Sequence, residues 1–315
     1  MRIRAVVPLY PPHSLVGAWI TTHEFLAHMV RRGHHVEVVA YASMGAATMH
    51  DGVRVVTSFA HTSSDPPDVI IGHAGDDGSA ADVAARTSTP LVLMVHGGTP
   101  TSVQAACRPA TLVVFNAHSY ARQVDHDGPQ VVCHPYVDPD RYRTTPGEQI
   151  TLINMCAAKG GPLFWRLAEA RPHDRFLAVR GGWGEQIIWS GHPNVTIQRL
   201  TPRMVDQVYA RTRILLMPSE TETYGRVALE AACSGIPTIA HPTAGVIEAM
   251  GEHALYANRD DLDAWCELLD DLTSPDRYLD ASVRASQRAA ALTPQGSLDD
   301  FADALEAVAA REVPA

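Results

Sequence analysis

The chain has 315 residues, more than the ~100–200 of an ordinary domain, and this length predicts two domains. Apolar residues make up 46% and charged residues 19%, which excludes a disordered, fibrous or coiled-coil chain. The net charge of −10 argues against a partner that is a nucleic acid and against stable association with a membrane.

The five cysteines are far apart in the sequence and form no CxxC pair. This odd, scattered set favours reduced thiols in a cytoplasmic protein over disulfides or a zinc site. The first residues read as a short strand and lack the apolar region of a signal peptide. No apolar run approaches the ~18 residues that span a bilayer, so we expect a cytoplasmic protein.

In the first half, apolar and β-branched segments alternate with helical patterns. A helix is predicted from Trp19 to Arg32 and stops at Gly33, and further helices fit 79–86 and 118–124. This alternation is typical of a parallel sheet that is covered on both faces. The predicted strands are 3–7, 36–41, 53–57, 68–71, 91–95, 111–115 and 130–133.

Residues 138–147 interrupt the alternation and predict a linker, after which the alternation restarts. Two doubly wound, Rossmann-like α/β domains that face each other across a cleft are therefore expected. Ligands bind such sheets beyond the carboxyl ends of the strands, where we look for site residues. The second half has predicted strands 150–155, 175–179, 195–198, 213–217 and 236–240, and predicted helices 162–170, 202–211, 225–234, 261–272 and 276–310, the last broken at 294–296.

Two patterns come close to known motifs without matching them. Residues 72–78 have the spacing GxxGxxG, not GxGxxG, and their two aspartates would repel a pyrophosphate, so nicotinamide binding is disfavoured. His23 and His28 form HExxxH, which places them about 140° apart on a helix, too far to share one metal ion. We expect both to be solvated and, since the other histidines lack ligand spacing, no metal site.

Three residues stand beyond predicted strand ends. Gly17 precedes the first helix, where backbone N–H groups attract phosphate, and His96 follows the strand 91–95. Lys159 is the single lysine of a chain with 24 arginines and follows the first strand of the second half. A compact ammonium at that place could meet a phosphate.

The segment from Met217 to Thr238 carries the strongest signal. A buried strand runs into a polar loop and then into an alanine-rich helix that begins near Gly225, where free N–H groups suit a diphosphate. Glu222 precedes this helix. Glu230 lies deeper along it, and its carboxylate could accept hydrogen bonds from the vicinal hydroxyls of a ribose.

These residues resemble the retaining GT-B glycosyltransferases of family four, the group 1 or glycogen-synthase-like enzymes. The Glu-x7-Glu motif of that family appears as Glu222 to Glu230, and the resemblance covers nearly the whole chain. Further matches are Gly17 in the glycine loop, Arg32-Gly33-His34-His35-Val36, His96-Gly97, Val137-Asp138-Pro139, Lys159-Gly160, and Ala244-Gly245 with Glu248.

The resemblance implies that Lys159 binds the donor diphosphate, Glu230 the ribose, and Gly17 the β-phosphate. His96 would contact the donor sugar or the reacting centre, and His96, Lys159 and Glu222 would be the catalytic residues. Asn154 would also bind the donor, although the family usually has arginine there. The remaining donor-binding residues would be those that follow Glu222, namely Thr223, Tyr224 and Gly225.

The resemblance also implies an N-terminal acceptor-side domain (1–146), a C-terminal nucleotide-sugar domain (147–296) and a final helix (297–315) that crosses back to the first domain. It implies neither cofactor nor metal ion. The expected reaction is retaining transfer of a hexose-type sugar from a nucleotide diphosphate, UDP rather than GDP, to an unidentified acceptor. The alternatives are a GT-B epimerase or phosphorylase, and a non-catalytic nucleotide-sugar-binding subunit.

Overall fold

The computed structural model describes the whole chain except Leu15 and residues 311–315. The chain divides into two compact units: Met1–Tyr136 together with the segment that begins at Thr293, and Val137–Leu292. Among the described residues, no helix has both the length and the apolar character needed to cross a membrane.

The first unit is built on a sheet that is parallel except at one edge. Its strand order is β3-β4-β2-β1-β5-β6-β7-β8, and only β3 pairs antiparallel, with β4, among the described strands. Most residues of the inner strands are apolar and buried on both faces, as expected for a parallel sheet covered on both sides. They are β1 (Arg2–Val7), β2 (His35–Ala40), β3 (Thr48–His50), β4 (Val53–Val56), β5 (Val69–His73), β6 (Leu91–Val95), β7 (Leu112–Phe115) and β8 (Gln130–Val132).

Within Met1–Tyr136, each described α-helix lies in the connection between two consecutive strands. Helix α1 (Gly17–Arg31) is buried along most of its length and ends before Gly33, whose φ of +90° suits a residue without a side chain. The helices are α1 (Gly17–Arg31), α2 (Ser79–Thr87), α3 (Pro100–Cys107) and α4 (His118–Ala121).

The second unit has a sheet whose described strands all pair in parallel, in the order β11-β10-β9-β12-β13-β14. Its strands are β9 (Gln149–Ile153), β10 (Phe176–Val179), β11 (Val195–Gln198), β12 (Thr212–Met217), β13 (Thr238–Ala240) and β14 (Leu255–Tyr256). Its helices are α5 (Pro139–Tyr142), α6 (Gly161–Ala170), α7 (Met204–Gln207), α8 (Arg226–Ala232), α9 (Ala244–Met250), α10 (Leu262–Asp271) and α11 (Pro275–Ala290).

The final helix, α12 (Pro294–Ala310), packs in the first unit. The rings of Phe25 and Phe301 lie 4.7 Å apart between α1 and α12, and Leu305 is fully buried in the same core. The predicted start at residue 297 was wrong, because the helix already begins at Pro294; proline suits the first helical position, where the backbone N–H has no partner.

Several predicted elements differ from the structure. The predicted linker 138–147 contains α5, which is capped by Asp138 and buries Tyr142, so it is not a free connection. The predicted helix 202–211 is only α7 followed by a 3₁₀ turn. Strand β3 and helix α3 were missed, because three-residue strands and short polar helices have weak periodicity.

Candidate functional site

The centre of the second sheet is its topological switch point. The chain passes from β9 outward to β10 and β11, then returns to β12 on the other side of β9. The loops after β9 and β12 therefore leave the sheet side by side at its carboxyl edge, where doubly wound sheets bind ligands. Lys159 and Glu222 lie in these two loops.

Lys159 and Glu222 form an ion pair in which the ammonium donates to Glu222 Oε1. Ser219 donates to the same oxygen at 2.7 Å and is itself buried. The side chains of Lys159 and Glu222 are 19% and 14% exposed, so the pair is accessible but partly shielded from water. A cation in such a place is more effective on a nearby anion than it would be in bulk water.

Close backbone packing fixes the two loops against each other. The N–H of Glu220 donates to the carbonyl of Ala158 at 2.8 Å. Gly160 has a φ of +87°, and a Cβ there would overlap the ring of Pro218. Glycine is therefore required beside Lys159 both for its backbone conformation and for space.

The loop 222–225 is anchored from behind by α9. A Cβ on Gly245 would overlap the backbone of Glu222 and Thr223, so the start of α9 directly supports this loop. Gly225 has a φ of +91° and precedes α8. Tyr224 is 4% exposed, and burial raises its pKa, an effect that the charge of Arg288 opposes. The donor contacts of Thr223, Tyr224 and Gly225 stay predictions.

Glu230 belongs to a buried polar network. Its Oε1 accepts from Arg226 Nε at 2.6 Å and its Oε2 from the Tyr209 hydroxyl at 2.5 Å. Arg226 also donates to the Tyr142 hydroxyl at 3.0 Å. Burial and the charge of Glu230 raise the pKa of Tyr209 well above its usual value. Protein groups thus occupy both oxygens of the residue for which ribose binding was predicted, and that role stays a prediction.

Asn154 directly follows β9 and has a left-handed conformation with a φ of 71°, which asparagine tolerates better than most residues. Its side chain is buried, and its Oδ1 accepts from Gln186 Nε2 at 2.7 Å. Gln186 in turn accepts from the N–H groups of Met155 and Gly181. Asn154 therefore shapes the loop after β9 but brings no cation to it.

Sequence reasoning missed two residues at this edge of the sheet. Trp183 follows β10, is 46% exposed, and has its ring centre 5.8 Å from Lys159 Nζ. Its signal was a tryptophan within the run Gly181-Gly182-Trp183-Gly184 directly after a predicted strand. Arg259 donates to the carbonyl of Ala157 at 3.1 Å and follows the short strand β14, which was not predicted.

His96 and Gly17 lie in the first unit. His96 follows β6; its Nε2 is 3.1 Å from Thr22 Oγ1, and its ring stacks on His73 at 5.3 Å. Burial, and then the charge of His73, hold the pKa of His96 well below 6.5, so the ring is neutral at pH 7. Gly17 is the first residue of α1, and a Cβ there would meet open space.

The expectation that His23 and His28 are solvated was wrong. They are 5% and 6% exposed, because α1 is covered on all sides by the sheet, by the β3–β4 hairpin and by α12. His23 contacts Tyr10 and Asp51, whereas His28 contacts Asp299 at 3.1 Å. The two rings thus have different partners on different sides of the helix.

The two largely parallel sheets, each in a chain that alternates strands and helices, define a doubly wound α/β class of protein. Residues 166–274 match the family described as "Glycosyl transferases group 1". D-inositol 3-phosphate glycosyltransferase of Corynebacterium urealyticum is 34% identical over 77 residues. Sulfoquinovosyl transferase of Arabidopsis thaliana is 37% identical over 65 residues. These alignments cover 24% and 21% of the chain, and only 18% and 13% of the two relatives.

Solved structures match over nearly the full length of the chain. Sucrose-phosphate synthase from Thermosynechococcus elongatus has a TM-score of 0.79 at 14% identity, covering 99% of this chain and 100% of that one. HepE of Anabaena in complex with UDP-glucose has a TM-score of 0.75 at 16% identity, covering 98% and 100%. The chain has the GT-B fold, and the predicted resemblance to group 1 glycosyltransferases is confirmed.

Proposed function

We propose that the chain is a retaining glycosyltransferase that moves a hexose-type sugar from a UDP-linked donor to an acceptor without a metal ion. The observation that carries the proposal is the pairing of Lys159 with Glu222 at the switch point between β9 and β12. A doubly wound sheet binds its ligand at this place, and Lys159 is the only lysine of the chain.

Lys159 is proposed to stabilise the diphosphate as it leaves the sugar. The negative charge on the leaving group grows during bond cleavage, so an ammonium fixed beside it lowers the barrier of the reaction. Before the donor binds, Glu222 and Ser219 hold the ammonium in place. An incoming diphosphate carries more charge than one carboxylate and competes with Glu222 for the ammonium.

His96 is proposed to hydrogen-bond a hydroxyl of the donor sugar. Thr22 Oγ1 donates to the carbonyl of Ala18, so it accepts the proton of His96 Nε2. The neutral ring thus has a defined tautomer, with its proton on Nε2. In a retaining transfer, the new bond forms on the face of the sugar from which the diphosphate leaves, so the acceptor approaches that face.

The proposed donor class is supported by the relatives. HepE was solved with UDP-glucose, and both matched sequence relatives are glycosyltransferases. Independence from metal ions is supported by the positive charge of Lys159 and the partial positive charge of the backbone N–H groups near Gly225. These groups would stabilise the diphosphate, a role that a metal ion has in other transferases.

A donor screen tests the proposal. Thermal unfolding of the full chain is measured with UDP-glucose, GDP-mannose and ADP-glucose, each with and without EDTA, and turnover of a radiolabelled donor is followed in parallel. We expect UDP-glucose to raise the melting temperature most, and slow donor hydrolysis to persist in EDTA. Turnover that is lost in EDTA and restored by Mg²⁺ or Mn²⁺ would refute the metal-free mechanism.

The second candidate is a nucleotide-sugar-binding protein without turnover. It is favoured by Asn154, whose neutral side chain is committed to Gln186 at the place where the resembled family has a cation. In the same screen, donor binding without release of UDP over many hours would support this candidate. Hydrolysis or transfer above the rate of a Lys159→Ala chain would exclude it.

A further inference from the structure

We propose that His23, His50 and Asp51 of the first unit bind a divalent transition-metal ion, with Zn²⁺ as the ion that best fits these ligands. Each residue offers one ligand atom, and the three atoms lie within 4.8 Å of one another. The site is separate from the proposed glycosyl transfer and does not depend on it. It also departs from the sequence-based expectation that no metal site exists.

The fold brings together residues that are distant in the sequence. His23 lies on the buried helix α1, His50 ends strand β3, and Asp51 begins the turn from β3 to β4. Asp51 and Gly52 have φ angles of 46° and 80°, the conformation of a tight type I′ hairpin turn. A Cβ on Gly52 would overlap Val30 of α1, so the turn packs directly on the helix.

The ligand atoms are close to a coordinating arrangement. His23 Nε2 is 3.0 Å from Asp51 Oδ2, and the His23 and His50 rings stack with their centres 4.2 Å apart. Two ligands of a tetrahedral Zn²⁺ with bonds of about 2.0–2.1 Å lie roughly 3.3 Å apart. The three ligand atoms of the cluster are separated by up to 4.8 Å, which exceeds this distance. Small rotations of His50, which is partly buried, and of Asp51, whose side chain is 71% exposed, would bring the atoms to the separation that Zn²⁺ requires.

A buried tyrosine orients the central ligand. The hydroxyl of Tyr10 is 2.9 Å from His23 Nδ1, and Tyr10 is fully buried. If His23 Nδ1 carries the proton and donates it to Tyr10, the lone pair of Nε2 is directed toward Asp51 and an ion. Metal-bound histidines are commonly oriented by such a contact on their second nitrogen.

The ligand set selects the class of ion. Two imidazoles and one carboxylate are borderline ligands that suit Zn²⁺ and neighbouring transition metals better than Mg²⁺ or Ca²⁺. Three protein ligands leave a fourth position for water, which the exposure of Asp51 makes accessible. An ion bound here would tie the β3–β4 hairpin to α1 and stabilise the first unit against unfolding.

The first test is Zn²⁺ binding by the full chain after removal of metal with EDTA. Zn²⁺ is titrated in competition with a chromophoric chelator, using wild type, His50→Gln, Asp51→Asn and the control His61→Gln. Asparagine tolerates a positive φ, so Asp51→Asn retains the hairpin turn. We expect wild type and control to bind one Zn²⁺ alike, and both ligand variants to bind it at least tenfold more weakly.

The second test is thermal unfolding with Zn²⁺ at a hundredfold excess over its dissociation constant. Binding should raise the melting temperature of wild type and His61→Gln by about 5–10 °C. The rise should be lost in His50→Gln and Asp51→Asn. Tyr10→Phe removes the orienting hydroxyl and should weaken Zn²⁺ about 10–100-fold if it folds.

Co²⁺ reports the geometry directly. Bound Co²⁺ in a four-coordinate site absorbs visible light far more strongly than hexa-aqua Co²⁺, and this band should be absent in His50→Gln. Zn²⁺ binding of equal affinity in wild type, His50→Gln and Asp51→Asn would overturn the proposal, because the ion would then be bound elsewhere. A wild-type chain that binds no Zn²⁺ would overturn it as well.

Discussion

Replacement of Glu230 by alanine should destabilise the second unit strongly. The side chains of Glu230 and Arg226 are 7% and 9% exposed, and the carboxylate accepts from Arg226 at 2.6 Å and from Tyr209 at 2.5 Å. Glu230→Ala leaves the Arg226 guanidinium buried without its anion. Removing one partner of a buried ion pair costs about 3–5 kcal/mol, and we expect a loss of unfolding free energy in this range.

The assay is urea unfolding followed by tryptophan fluorescence, with three comparison variants. Tyr209→Phe removes one hydrogen bond to a charged group and should cost about 1.5–3 kcal/mol. Glu230→Gln keeps the shape and should cost less than Glu230→Ala. The double variant Arg226→Ala/Glu230→Ala should lose less than the sum of the two single variants, since both residues act in one network.

The same variants separate a donor-binding role of Glu230 from its role in stability. If the carboxylate also accepts from ribose hydroxyls, Glu230→Gln should weaken donor binding roughly ten- to hundredfold, whereas Tyr209→Phe should leave it nearly unchanged. A Glu230→Ala chain that is destabilised by less than about 1 kcal/mol would refute the reasoning, because the buried Arg226 would then tolerate the loss of its partner.

Two further predictions concern stability. Gly160→Ala should cost about 2–4 kcal/mol, from its positive φ and the overlap with Pro218, and should lower donor affinity by moving Lys159. The control is Gly296→Ala in α12, which has open space and should keep or slightly raise stability. Equal melting temperatures of the two variants would contradict this. Burial lowers the pKa of His96, so the unfolded chain binds a proton that the folded chain does not, and this lowers stability as the pH falls below about 6.5. Urea unfolding across this range should show a shallower decrease in His96→Gln than in wild type, and parallel curves would contradict it.

The sequence predicted the alternating α/β organisation well, because buried parallel strands are continuous apolar runs and glycines mark the ends of helices. It also identified Lys159 and Glu222, which the structure brings into contact. Both stand directly beyond strand ends, and the order of strands in a doubly wound sheet places those ends together.

The sequence could not show what the side chains do after folding. Glu230 accepts hydrogen bonds from Tyr209 and Arg226. Arg226 stands one helical turn before Glu230 in the sequence, whereas Tyr209 reaches it only through tertiary packing. His23 was wrongly predicted to be exposed. Helix α1 is buried on nearly all sides, so it lacks the solvent-facing polar side by which a sequence pattern separates buried from exposed positions. The cluster of His23 with His50 and Asp51 depends on a three-residue strand whose pattern is too short to detect.

Steady-state kinetics of Lys159→Ala with the best donor test most directly whether Lys159 stabilises the leaving diphosphate. Arg203→Ala removes an exposed cation of the second unit and serves as the matched control. We expect kcat to fall by ~10²–10³ in Lys159→Ala, with an unchanged melting temperature, partial activity in Lys159→Arg and full activity in the control. A Lys159→Ala chain that keeps a kcat within about threefold of wild type would contradict the claim, since that change is well under 1 kcal/mol of barrier.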